Sequence, residues 1–202
     1  MHKLFPILII LAFAAGCSST GKTLKNADAK AEIKSEFIAY YDLIVNREFA
    51  KAMEYIVPEF FEIMPKEEMI GAMEQLFNDP KFSFELRPPE IKEVTKVVKE
   101  EGKWYAKLRY SNWMNMKIAG EANETADEKA DRIAMLLGIF KTNFGPDNVI
   151  YNEETGFFEI FSIKEAIAVS KNGKSDWKFI TIEENQKLLI EKIIPAKVLN
   201  LE

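Results

Sequence analysis

The chain has 202 residues, with 27 Lys and Arg against 32 Asp and Glu and a net charge of −5. That length suits one domain with a real core, and an acidic chain without a basic stripe argues against nucleic acid as a partner and against electrostatic adhesion to anionic lipid. The one histidine, His2, and the one cysteine, Cys17, both stand near the start, so the rest of the chain offers neither imidazole nor thiol. This excludes Ser–His and Cys–His nucleophilic sites there, and His- or Cys-ligated zinc, copper and haem. Any chemistry must rest on carboxylates, Lys, Tyr or an oxygen-ligated metal. No calcium loop, Walker phosphate loop or dinucleotide fingerprint is present, so no cofactor is expected.

Met1-His2-Lys3 is followed by an apolar run from Leu4 to Ala15, then Gly16-Cys17. A positive start, an apolar stretch and small residues before a cut site make a secretory signal over residues 1–16. The run is shorter than the about 20 residues of a membrane-spanning helix, and Pro6 weakens it further. Ala14-Ala15-Gly16-Cys17 resembles the lipobox of bacterial lipoproteins, with Ala14 where Leu is usual. The resemblance implies cleavage before Cys17 and acylation of its sulfur and new amino group, hence a membrane partner held through acyl chains. It also accounts for a thiol with no intrachain disulfide partner. Ser18, in place of the Asp that retains many such proteins on the inner membrane, implies the outer membrane of the envelope. Residues 17–28 read as a polar, flexible tether spanning on the order of 20 Å, and residues 29–202 as a single domain.

Ile33, Phe37, Tyr40, Tyr41 and Ile44 recur at helical spacing and predict a helix over 29–46. A second, short helix is expected over 48–56, a brief strand at Phe60–Ile63, and a third helix after Pro65. Strands are expected over 82–86 and 91–98, separated by Pro88-Pro89. The clearest alternation lies over 104–118. Trp104, Ala106, Leu108, Tyr110, Asn112, Met114, Met116 and Ile118 fall on one face. Tyr105, Lys107, Arg109, Ser111, Trp113, Asn115 and Lys117 fall on the other, expected mostly in water. Thr125 and Glu128 have capping-box spacing at the start of a helix over 125–142. Strands follow at 149–151, 157–170 and 177–182, with a hairpin at Asn172-Gly173. A closing helix is expected over 184–194 and is ended or kinked by Pro195.

The stretches Tyr40 to Phe49, Tyr55 to Phe61 and Asp176 to Phe179, within helix, helix, short strand, helix and a long meandering sheet, resemble the nuclear transport factor 2-like superfamily. That superfamily includes ketosteroid isomerase and polyketide-cyclase relatives. The chain is also similar to lipoproteins of the Bacteroidetes type. The resemblance covers roughly 30–182 and implies an α+β fold: a curved, mainly antiparallel sheet wrapped on N-terminal helices around a cone-shaped pocket. The helix near 125–142 departs from that plan as an insertion, and a C-terminal helix closes the chain.

On that fold Tyr110, Asn112, Met114 and Met116 line a ligand pocket closed by Tyr41 and Phe61; the plainer alternative is that these side chains simply fill the core. Two functions follow. One is a non-enzymatic envelope lipoprotein that binds a small apolar ligand or a partner protein. The other is an isomerase- or hydratase-type enzyme in which Glu159 or Glu165 faces the pocket as base and Tyr110 is the donor; against it stands a rim position in water for both acids. In the helix over 125–142, Met135 and Ile139 widen the apolar stripe beyond what one sheet contact needs. A partner, the pocket mouth, or the closing helix through Leu188, Leu189 and Ile193 would cover the surplus.

Overall fold

The computed structural model describes residues 20–183 and 186–201. The signal segment 1–16 and Cys17 lie outside the described residues, as do the first two positions of the expected closing helix.

Helix α1 spans Thr20–Val45. It starts nine residues before the expected position, inside the stretch read as a coil tether. Lys, Leu and Ala in this stretch are good helix formers. Its inner end is held by packing: Ala29 is buried, and Asn26 Oδ1 accepts a hydrogen bond from the Val97 N–H at 3.3 Å. Helix α2 is a single turn, Phe49–Ala52, continued by a 3₁₀ turn at Met53–Tyr55. The strand expected at Phe60–Ile63 is instead a 3₁₀ turn over Pro58–Glu62. Pro58 sets its first φ, and the Phe60 and Ile63 N–H groups donate to the Val57 and Phe60 carbonyls at 3.0 Å. Four apolar-rich residues thus bury Phe60 without joining a sheet. Helix α3 follows at Lys66–Asn78.

Among the described residues seven strands form: β1 Phe82–Leu86, β2 Glu90–Val94, β3 Val98–Glu100, β4 Lys103–Ile118, β5 Val149–Asn152, β6 Phe157–Ser170 and β7 Lys178–Ile182. Every pairing between them is antiparallel. The long strands β4 and β6 form the centre, in register from Trp104↔Ser170 to Met116↔Phe158. Along the outer edge of β4 lie β1, β2 and β3, and along that of β6 lie β5 and β7. The single strand expected over 91–98 is two strands. A register shift between Ile91 and Glu93 bulges the ladder, which resumes at Glu93 and stops after Val94. Thr95 bridges the gap with both its N–H and its hydroxyl, each 2.9 Å from Lys107 backbone atoms. Gly173, at φ +71°, makes the turn into β7; a Cβ there would come within 2.6 Å of the Trp104 ring, so only glycine fits.

Helix α4 spans Ala126–Phe144 and begins with the expected capping box between Thr125 and Glu128. Among the described residues the closing helix is α5 Lys187–Ile193, and after Pro195 a turn of helix α6 covers Ala196–Leu199. The class is therefore α+β with an antiparallel sheet.

One sheet face carries two helices side by side. Ala106, Leu108 and Tyr110 of β4, with Ala166, Ala168 and Phe179, pack on Ile33 and Phe37 of α1. Further along the same face, Phe158, Ile160, Met114 and Met116 pack on Phe140, Ile133 and Leu137 of α4. The opposite face is covered at one end, where Tyr105, Ile167, Val169 and Ile180 pack on Ile190, Ile194 and Val198. This corrects the expectation of water there: β6 is buried on both faces from Ala166 to Ser170.

Candidate functional site

The two helices on the inner face do not meet edge to edge. A cavity of about 350 Å³ lies at the seam. Tyr40, Tyr41 and Ile44 of α1 form one wall, Met73 of α3 and Phe144 of α4 two others, and Tyr110, Asn112 and Met114 of β4 the floor. Lys164 of β6 with Thr181 and Glu183 at the end of β7 complete the lining. A volume in this range, aromatic walls and a few convergent polar groups are what small-molecule sites have in common.

Each wall residue is placed by a local rule. On α1, Phe37 and Tyr41 are four apart, so Phe37 anchors the helix in the core while Tyr41 reaches one turn further, over the floor. The Phe37 ring lies 4.7 Å from that of Tyr110 and 5.1 Å from that of Phe179. Period-two alternation turns Tyr110, Asn112 and Met114 to the same side, and the antiparallel register sets Lys164 directly opposite Tyr110. The Tyr41 hydroxyl donates to Asn112 Oδ1, tying helix to sheet across the cavity. Lys164 Nζ donates to both carboxylate oxygens of Glu183, at 2.9 and 2.7 Å. The same ammonium lies 5.9 Å from the centre of the Phe144 ring.

Burial shapes the chemistry of the phenols. Loss of water around Tyr110 disfavours its phenolate and pushes the group up to about 12, with a hydrogen bond to Thr181 opposing and the Glu183 carboxylate adding. Tyr40 and Tyr41 are raised for the same first reason, burial, and then by neighbouring tyrosines. All three are therefore neutral hydrogen-bonding groups at neutral pH. The Tyr41 proton is already given to Asn112, and Tyr110 is left to donate to a bound molecule.

Of the residues expected at a pocket, Tyr41, Tyr110, Asn112 and Met114 come together here. Met116 does not line the cavity and instead packs beside Phe158 under α4. Phe61 is also absent from the lining, because the 3₁₀ turn that carries it buries its neighbour Phe60 against Tyr105 and Ile167 on the opposite sheet face. The expectation that Glu159 or Glu165 faces the pocket is not met. Their positions opposite Asn115 and Arg109 put both on the other face of the sheet. There Glu159 accepts from Asn152 Nδ2 at 2.9 Å and Glu165 lies 3.7 Å from Lys107 Nζ. The acid that does line the cavity, Glu183, stands in a Glu183-Glu184 pair that reads as a solvated charge run. Lys164 had a sequence signal, since it falls in phase with the buried Ile160, Ser162 and Ala166.

Among the described residues, no group of three His, Cys, Asp or Glu side chains is placed to hold a metal ion, and no helix is long and apolar enough to cross a membrane. Comparison with protein-family models and with curated proteins finds no match to this chain. Fold and cavity together define an α+β domain with a half-open, aromatic-walled chamber between two helices and a sheet.

Proposed function

We propose that this chain is a lipid-anchored protein of a bacterial envelope, attached through Cys17 after loss of residues 1–16, and that its domain binds a small, largely apolar molecule in the cavity between α1 and α4. The observation that carries the binding reading is the convergence of Tyr41, Asn112, Tyr110 and Lys164 on one chamber otherwise walled by Tyr40, Ile44, Met73, Met114 and Phe144. Apolar walls supply burial energy and the few polar groups fix orientation. The anchor is supported by the run from Lys3 to Cys17. The order of helices and strands, with α1 lying on the inner face of a sheet that carries a cavity, supports a nuclear transport factor 2-like cone as the parent fold. An isomerase- or hydratase-type reaction is less well supported, because Glu159 and Glu165 point away from Tyr110 and the cavity's own acid, Glu183, is bound to Lys164.

Native mass spectrometry of the full-length protein purified from its host tests both parts. The expected result is an acyl mass on Cys17, lost in Cys17→Ser, and a co-purified small molecule lost in Met73→Trp, which fills the chamber from a half-buried wall position. Acylation persisting in Cys17→Ser would overturn the anchor. A ligand-free wild-type protein that also takes up no small apolar probe would overturn the binding reading.

A further inference from the structure

We infer that the ligand of this cavity carries a carboxylate on an apolar body, and that Glu183 is an internal stand-in that holds Lys164 until the ligand displaces it. The inference rests on the cavity being a binding site. Its ground is the asymmetry of the ion pair at the chamber wall. Lys164 sits in the middle of β6, on the inner face, between Ser162 and Ala166, both buried. Its ladder partner on β4 is Tyr110, and on the other side the next residue, Glu165, pairs with Ile182 of β7. Its side chain is 23% exposed and its ammonium lies over the Phe144 ring. An ammonium so placed needs a counter-charge.

The counter-charge comes from the opposite kind of position. Glu183 follows the last residue of β7, has no ladder partner, and its side chain is 36% exposed. It can turn into water at little cost, whereas Lys164 cannot leave the sheet. Both of its oxygens bind Nζ, so the space beside Lys164 already accommodates a carboxylate. A ligand carboxylate entering there takes over the charge-assisted contact with Lys164 and adds the Tyr110 hydroxyl, while the released Glu183 returns to water. The ligand's apolar body gains the walls of Met73, Met114 and Phe144, and Tyr110, opposite Lys164 on β4, supplies a neutral hydroxyl beside it.

The test is calorimetric titration of the purified full-length protein at neutral pH with octanoate and with 1-octanol, which share a chain and differ in charge. Octanoate is expected to bind about tenfold more tightly or better, the factor a charge-assisted hydrogen bond supplies. Lys164→Met keeps the apolar stem and should erase that preference, bringing octanoate affinity down to that of octanol in the same variant. Glu183→Gln removes the competing carboxylate and should tighten octanoate several-fold relative to octanol in the same variant. Equal binding of the two probes, or a preference that survives Lys164→Met, overturns the carboxylate inference and leaves the cavity reading standing. If Lys164→Met does not fold, Glu183→Gln decides alone, and unchanged octanoate affinity overturns the displacement. Binding of neither probe to the wild-type protein overturns the cavity reading and this inference with it.

Discussion

Replacing Phe37 by Ala removes the ring that joins α1 to the sheet. Phe37 is 1% exposed, and its ring packs within 4.7 to 6.0 Å of Tyr110, Phe179 and Tyr40. Burying about 150 Å² of phenyl surface at about 25 cal/mol/Å² is worth about 4 kcal/mol. Truncations of this kind cost about 3–5 kcal/mol once the residual cavity is included. Against a total stability of about 5–15 kcal/mol, that loss should lower the melting temperature by roughly 6–20 °C. Phe61→Ala, on a half-buried turn position, is the matched control and should cost less than about half as much. Urea and thermal unfolding followed by circular dichroism read both. A Phe37→Ala protein within about 1 kcal/mol of wild type, the typical cost of an arbitrary point substitution, would mean that α1 does not lie on the sheet, and the cavity would lose its helical wall.

Three further outcomes are expected. The raised values of Tyr40, Tyr41 and Tyr110 mean that their stabilising effect is complete below pH 10.0 and is lost as pH rises through the folded values, about 12 for Tyr110. Their phenolate absorbance should therefore appear only as the native fold is lost, and phenolates titrating near 10 at these positions in an intact fold would refute the burial. Glu124 is held below the ordinary 4.5 by the hydrogen bonds of Arg132, which also binds the Ile118 carbonyl at 2.9 Å. Its contribution is present above about 4.5 and is lost as pH falls through the lowered value. Carboxyl titration by NMR should show that lowering vanish in Arg132→Met, and a Glu124 unchanged by the substitution would break the link between α4 and the end of β4. Met135 and Ile139 are 59% and 47% exposed, so Met135→Glu and Ile139→Glu should each change stability by less than about 1 kcal/mol. A loss of about 3 kcal/mol or more on chemical denaturation would place them in the core.

The local patterns of this chain were legible wherever one side of an element meets water. The stripe Ile33, Phe37, Tyr40 and Tyr41 marked α1, the Thr125–Glu128 box marked the start of α4, and the alternation from Trp104 to Ile118 assigned the inner face of β4, with Tyr110, Asn112 and Met114 together on it. Four of the six residues expected at a pocket follow from that alternation and from the helical phase of Tyr41. Elsewhere the same signals fail for physical reasons. Along β6 both faces are apolar, so period two separates Glu159 and Glu165 from Lys164 but does not say which set faces the chamber. The register of β6 against β4 decides that, and it depends on contacts between residues some fifty positions apart. The turn at Pro58–Glu62 looks like a strand by composition, and it becomes 3₁₀ because Pro58 and the burial of Phe60 outweigh β-propensity. The pairing of Lys164 with Glu183 lies beyond any local pattern, since a strand end and a mid-strand lysine become neighbours only when β7 folds back along β6.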